Sequence, residues 1–345
     1  MARRFVVHAA FAAGVLCVAQ SPLDGQGAGA APVREVYGRL RRAVDGAQVP
    51  LPGAWVTLHR VAPDAAAPLD SVRTGAGGAF RFRYQPTGDS TAVYFVSSEH
   101  AGIAYFSQPL RNPEVRGGDA DLVVFDTTSR RQPITIESRH LIVSAPNSGR
   151  RTIIEVFVLT NAGSLTQVAG HDTGATFTAT LPASASDPKA AEGDVTPEGI
   201  TFAGGRVRVT APIAPGSKRV AYSYSLPAAT SPVPVSRADS SSLLEVLVED
   251  SAASVTGGGV HEDVPTTISG RTFRRFANLS RGSAADLAIR TPSGLGPRPV
   301  GFAAAVAIAV GVVLAGALVV ALRRDAAVEA RAEDADPLAA SDSTA

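Results

Sequence analysis

The sequence predicts an all-β protein, built from tandem antiparallel β-sandwiches and followed by one C-terminal transmembrane helix. Short segments alternate apolar and polar residues, as strands with one buried face do. Frequent Gly (33) and Pro (24) separate these segments, and both residues favour turns. Residues 300–322 form an uncharged run that is long enough to cross a bilayer, since a span needs about 20 apolar residues.

The N-terminus predicts a secretory signal peptide over residues 1–19. Arg3 and Arg4 precede an apolar run that ends in small residues, which is the order found in such signals. An N-terminal anchor that is never cleaved is the alternative. Residues 20–33 are rich in Gly, Ala and Pro and predict a flexible leader.

The predicted transmembrane helix, residues 300–322, is followed at once by Arg323 and Arg324. With a signal upstream, the positive-inside rule predicts a single-pass plasma (inner) membrane protein, its N-terminus periplasmic or extracellular and its C-terminus cytoplasmic. Residues 323–345 form an acidic tail that is too short to bury a core. A small residue at every fourth position predicts a homodimer through close helix pairing, at Ala303, Ala307, Gly311 and Ala315.

Residues 34–108 predict the first sandwich. Phe80 and Phe82 alternate with arginines, so the rings are expected in the core and the guanidinium groups in water. By the same alternation, Val56 points towards the core and Trp55 away from it. Trp55 is therefore predicted to lie on an outer sheet face.

Three motifs in this module resemble the carboxypeptidase regulatory-like domain. They are Gly38-Arg39-Leu40, the stretch Pro50 to Leu58 (P-L-P-G-A-W-V-T-L) and Thr74 to Phe82, which ends in G-A-F-R-F. The resemblance covers residues 34–108 and implies a transthyretin-like, seven-stranded antiparallel sandwich. It also implies an accessory module without catalytic residues, so it predicts a fold and no activity. Gly53 and Gly78 adjoin turns, where a positive φ is expected.

The rest of the predicted ectodomain is also β-rich. Alternations such as Val220, Tyr222 and Tyr224 predict a second sandwich over 118–228, with Ig-like proportions from residue 130 onwards. A smaller β segment is predicted over 243–292. A Pro-rich stalk then leads to the membrane.

Composition excludes several classes of function. Hydrophobic residues make up 45% and charged residues 18% of the chain, which predicts a folded protein, and the net charge of +1 gives no electrostatic reason to expect nucleic acid as a partner. The only cysteine, Cys17, lies in the predicted signal, so the mature chain would have no disulfide and no Cys-ligated metal. Known hydrolase, phosphate-loop, dinucleotide-binding and zinc-peptidase motifs are absent from the sequence. We therefore predict no enzyme, no cofactor and no metal site.

Two surfaces are candidates for binding. Trp55 is one, because an exposed aromatic residue packs against a neighbouring domain or a partner. Arg271, Arg274 and Arg275, close to the predicted stalk, are candidates for contact with an anionic glycan or lipid head group. A charged strand face without a ligand is the alternative for these arginines.

Two clusters of acidic residues and histidine could serve chemistry. His261-Glu262-Asp263 is the densest, but consecutive residues on a strand point to opposite faces, so a shared site would need a loop. We predict a solvated turn there. His171-Asp172, flanked by glycines, predicts a loop tip.

These observations favour a non-enzymatic, membrane-anchored extracytoplasmic protein of the bacterial envelope that binds or scaffolds. Its partner would be an envelope protein or a glycan. One rival is an envelope enzyme, or the accessory subunit of one, that acts on peptide or carbohydrate. Another is a sensor with a docking tail. A pocket with convergent carboxylates would favour the enzyme, whereas flat sheet faces with exposed aromatics would favour the binder.

Overall fold

The computed structural model confirms the all-β class. It describes residues 33–110, 118, 120–170, 174–236, 241–278 and 286–291. Within these ranges the helical structure is limited to 3₁₀ residues, among them the turn Pro197–Gly199, and none of the described helical residues could cross a membrane. The predicted signal peptide, transmembrane helix and acidic tail lie outside the described residues.

Eight strands form the first sandwich. One sheet has the order β2-β1-β5 with β8 also paired to β1, and the other has the order β4-β3-β6-β7. The strands are β1 Arg34–Val44, β2 Ala47–Pro50, β3 Trp55–Val61, β4 Ala66–Arg73, β5 Ala79–Tyr84, β6 Val93–His100, β7 Ile103–Phe106 and β8 Leu122–Phe125.

The alternation read from the sequence places the core of this sandwich correctly. Phe80, Phe82 and Val56 are buried in one apolar cluster between the two sheets. Gly38 is required there, because a Cβ would lie 2.7 Å from the Phe80 ring. Gly78 has the expected positive φ of 72°, and its Cβ would lie 2.3 Å from a backbone carbonyl oxygen.

The first sandwich extends beyond the predicted boundary at residue 108. Strand β8 was assigned to the second sandwich, yet Leu40 pairs with Leu122 in parallel. Leu122 and Val124 are buried in the first core. The module therefore has one strand more than the seven expected, and its sheets are not purely antiparallel.

Fourteen further strands follow. Ten of them form the second sandwich, in which a seven-stranded sheet, β14-β17-β11-β10-β18-β21-β20, packs against a three-stranded one, β13-β16-β15, and the other four form the two-stranded sheets β12-β9 and β19-β22. These strands are β9 Thr127–Thr128, β10 Ile134–Val143, β11 Arg150–Asn161, β12 Thr166–Gln167, β13 Phe177–Thr180, β14 Ser186–Ala190, β15 Ile200–Ala203, β16 Arg206–Val209, β17 Gly216–Pro227, β18 Ser241–Val248, β19 Ser254–Thr256, β20 His261–Ile268, β21 Arg271–Ala277 and β22 Ala288–Arg290.

Most of the predicted separate β segment over 243–292 belongs to this large sheet, while β19 and β22 pair with each other. Strand β18 pairs with β10 in parallel, with Leu141 opposite Val246, and β21 and β20 continue the sheet beyond it. Val246 and Val248 are buried in the same core as Leu141. The seven-to-three division of strands also differs from the four and three of an Ig-like domain.

A short joint connects the sandwiches. Thr127–Thr128 pairs in parallel with Thr166–Gln167. The Tyr105 hydroxyl donates to the Phe125 carbonyl at 2.8 Å and lies 2.7 Å from the Thr166 hydroxyl. Burial raises the pKa of Tyr105, which keeps the hydroxyl protonated and able to donate.

The alternation on β5 predicts unequal effects of two neighbouring substitutions. Phe82 is 1% exposed, so Phe82→Ala should lower the free energy of unfolding by about 3–5 kcal/mol through cavity formation. Arg81 lies on the exposed side of the strand, and Arg81→Ala should change it by less than about 0.5 kcal/mol. Chemical denaturation of both variants measures the difference, and equal losses would show that the strand register is misassigned.

Candidate binding surface

The structure places Trp55 on the outer face of the sheet β4-β3-β6-β7, as predicted. Its side chain is 55% exposed, while the adjacent Val56 is fully buried. The backbone holds this position firmly, since the Trp55 carbonyl accepts a hydrogen bond of 2.8 Å from the Ser98 hydroxyl. Arg73, opposite Trp55 on β4, places its guanidinium carbon 4.6 Å from the centre of the indole ring.

Three more rings lie on the same sheet face. His59 and Phe95 are direct cross-strand partners and stack with centroids 5.0 Å apart and an interplanar angle of 12°. Phe106 meets Phe95 edge-on at 5.8 Å and is 59% exposed. Burial lowers the pKa of His59, so this ring is neutral at neutral pH. We call Trp55, Arg73, His59, Phe95 and Phe106 the aromatic face.

Hydroxyl groups lie between the rings of the aromatic face. The Ser97 hydroxyl lies 2.8 Å from Nε2 of His59, and the Thr57 and Ser71 hydroxyls are 2.9 Å apart across strands. His59 and Phe95 each cover one face of the other, and beside them the surface presents the Phe106 ring, an indole and a guanidinium. Aromatic residues and Arg are enriched in protein interfaces.

The predicted anionic contact at Arg271, Arg274 and Arg275 has a different explanation. Arg271 pairs with Glu249, and Arg274 makes two hydrogen bonds of 2.8 Å with the Glu262 carboxylate. Each of the three guanidinium groups is thus already neutralised by a carboxylate of the same chain, since Arg275 pairs with Glu245 and Asp263. This favours the charged strand face over a ligand contact.

The cluster His261-Glu262-Asp263 is part of strand β20, and the prediction of a turn was wrong. This strand is at the edge of the sheet and the three residues are exposed. Asp263 accepts from Arg275 at 2.6 Å. Among the described residues no group of three His, Cys, Asp or Glu is arranged to hold a metal ion. The pair His171-Asp172 lies outside them.

Sequence reasoning missed a polar array on the outer face of the seven-stranded sheet. The Ser138 hydroxyl lies 3.1 Å from His140 Nε2, and Glu245 Oε2 lies 2.6 Å from His140 Nδ1. Glu245 Oε1 accepts from Arg275 at 2.5 Å, and Arg275 reaches Asp263. The array thus links four adjacent strands, β10, β18, β21 and β20. Ser138 and His140, two residues apart, could be placed on one face from sequence, but the register that brings Glu245 to them could not.

Within this array, Ser138, His140 and Glu245 follow one another in the order of a nucleophile, a base and an orienting acid. However, Ser138, His140 and Glu245 are all buried, and they line neither of the two described cavities. A nucleophile needs access to a substrate and donors for an oxyanion. We therefore interpret the array as a brace across the sheet.

Comparisons with known proteins assign no family. No family model matches the chain, and no curated protein matches it. An M1 zinc metallopeptidase from Deinococcus radiodurans is 16% identical, with a TM-score of 0.32 over 48% of this chain and 43% of that one. The shaft pilin SpaA from Lactobacillus rhamnosus GG is 15% identical, with a TM-score of 0.20 over 40% of this chain and 69% of that one. The major pilin BcpA of Bacillus cereus is 12% identical, with a TM-score of 0.18 over 73% and 86%. None of these values supports an argument about function.

The brace predicts a specific acid sensitivity. Burial opposes the ionisation of Glu245, but hydrogen bonds from His140 and Arg275 outweigh it and its pKa lies below the ordinary 4.5. A lowered folded-state pKa gives stability that is complete above the unfolded value and is lost as the pH falls through the folded one. Glu245→Gln should therefore flatten the loss of unfolding free energy between about pH 5 and pH 3.

Urea denaturation across this pH range measures the effect. The exposed Glu192 supplies a matched control, because Glu192→Gln removes a carboxylate outside the brace. The same acid slope in the wild type and in Glu245→Gln would show that Glu245 does not contribute.

Proposed function

We propose that this chain is a non-enzymatic binding or scaffolding protein of the bacterial envelope, anchored by residues 300–322 with its β-domains outside the cytoplasm. The uncharged run and the arginines after it support the anchor. We further propose that residues 34–125 are a carboxypeptidase regulatory-like module in a tandem array of sandwiches. The turn glycines Gly53 and Gly78, both with φ of 72°, and the buried Phe80 and Phe82 support this assignment.

The observation that carries the proposed function is the aromatic face. Trp55 and Phe106 are each more than half exposed, although burying a large apolar side chain gains about 1.5–3 kcal/mol. A partner that covers them would recover that free energy. Stacking covers one face of His59 and one face of Phe95, and the ring edges, indole and guanidinium suit a protein surface. The proposed partner is therefore an envelope protein.

The proposed topology predicts the outcome of a reporter fusion. A reporter joined after Ala345 should be active when it requires the cytoplasm and inactive when it requires export, because the arginines after the span remain inside. The reverse fusion, after residue 291, should show the opposite pattern. Export-dependent activity of the Ala345 fusion would contradict the anchored topology.

The aromatic face predicts that Trp55→Ala reduces recovery of the partner. A pull-down from gently solubilised membranes, quantified by mass spectrometry, would compare this variant with the wild type. Tyr37→Ala is the matched control, because Tyr37 is 46% exposed on the other sheet of the same sandwich. We expect at least a tenfold loss for Trp55→Ala, as for an interface residue worth about 1.4 kcal/mol or more.

The control decides how a loss is interpreted. Loss with Trp55→Ala alone would locate the interface on the aromatic face. Equal recovery with both variants would remove this face from the proposed function.

A further inference from the structure

A polar cavity of about 350 Å³ lies between the joint and the three-stranded sheet. Strand β13 contributes one side, and the chain just after β9 contributes another. Its lining includes Arg131, Gln132, Gln167, Phe177, Thr180 and Arg206.

Two arginines that line this cavity form no ion pair with any described residue. Arg131 and Arg206 are exposed, and neither forms an ion pair with a carboxylate in the described part of the chain. Arg208 points to the same side of its strand as Arg206 and is likewise unpaired there. This differs from Arg271, Arg274 and Arg275, whose guanidinium groups all pair with carboxylates.

The floor of the cavity is preformed. The Gln132 backbone N–H donates to the Gln167 side-chain oxygen at 2.8 Å, and the backbone of Gln167 pairs with Ile213 in both directions, at 3.0 and 2.9 Å. The Thr176 hydroxyl donates to the Ala211 carbonyl at 2.8 Å. These bonds fix the floor before any ligand arrives, which reduces the ordering cost of binding.

The register of β13 and β16 places Arg206 directly opposite Thr180. A guanidinium group offers planar, paired donors that fit a carboxylate or a phosphate. The adjacent Thr180 hydroxyl can bind further oxygens, and Phe177 adds a small apolar surface. A volume near the lower end of the range for ligand pockets suits a small molecule rather than a folded domain.

We propose that this cavity binds a small hydroxylated ligand through an oxyanion group, either the carboxylate of a sugar acid or a phosphate. Arg131 and Arg206 contact the oxyanion, and the threonine side of the cavity contacts the remainder. This site is separate from the aromatic face and does not depend on the proposed function.

Isothermal titration calorimetry on the full chain, purified in detergent, tests the proposal with three probes: glucuronate, inorganic phosphate and neutral glucose. We expect at least one anion to bind, glucose to bind at least tenfold more weakly, and the affinity to fall as salt rises, because screening weakens exposed charge contacts. Binding of glucuronate alone assigns a carboxylate, and binding of phosphate alone assigns a phosphate group.

Variants then locate the site. Arg131→Gln and Arg206→Gln should each weaken binding about tenfold, as expected for a charged hydrogen bond, and Arg206→Lys should weaken it less. Arg83→Gln is the control, since Arg83 is an exposed arginine of the first sandwich that pairs with Glu35. Binding of neither anion, equal binding of glucose, or unchanged affinity in the double Arg131→Gln, Arg206→Gln variant would overturn the proposal.

Discussion

The buried ion pair between Arg139 and Glu155 is the constraint on which the second sandwich depends. Both residues are almost completely buried, and Arg139 Nη2 lies 2.6 Å from Glu155 Oε2. The other carboxylate oxygen accepts from the Tyr224 hydroxyl at 2.7 Å and from the Ser236 backbone at 3.0 Å. Burying two charges costs several kcal/mol per ion, and only a complete set of hydrogen bonds offsets that cost. The pair therefore requires β10, β11, β17 and the segment that ends at Ser236 to be in place together.

This constraint also determines the opposite side of the sheet. Because Arg139 points into the core, Ser138 and His140 must point away from it. His140 then meets Glu245, its direct partner on β18, and Glu245 holds Arg275. Arg275 is thereby supplied with a carboxylate. In the described part of the chain, Arg206 and Arg208 form no ion pair and lie opposite Thr180 and Thr178 on β13. A net charge of +1 gives no indication of where these two arginines lie.

The sequence predicted those features that depend on local periodicity. The burial of Phe82, the exposure of Trp55 and the positive φ of Gly78 follow from alternation and turn chemistry within a few residues. The sequence could not predict that β8 pairs with β1, or that β18 pairs with β10, because parallel pairing joins segments that are distant along the chain. A turn was predicted at His261-Glu262-Asp263 because the three residues follow a Gly-rich stretch and because consecutive strand residues cannot share one site. An edge strand can be equally polar, since one side has no neighbour to bury it.

The two candidate sites also differ in how far the sequence could predict them. The aromatic face could be predicted in part, because Trp55 alternates with buried residues, but the stacking of His59 on Phe95 needs the register of β3 and β6. The anion cavity had no sequence signal, since its two arginines come from different elements. Its floor also shares Gln167 with the joint between the sandwiches. Gln167 pairs with Thr128 and accepts a hydrogen bond from Gln132. A shift of Gln167 would therefore change both the joint and the cavity floor. The shape of the cavity is thus fixed by the contact that holds the two sandwiches together.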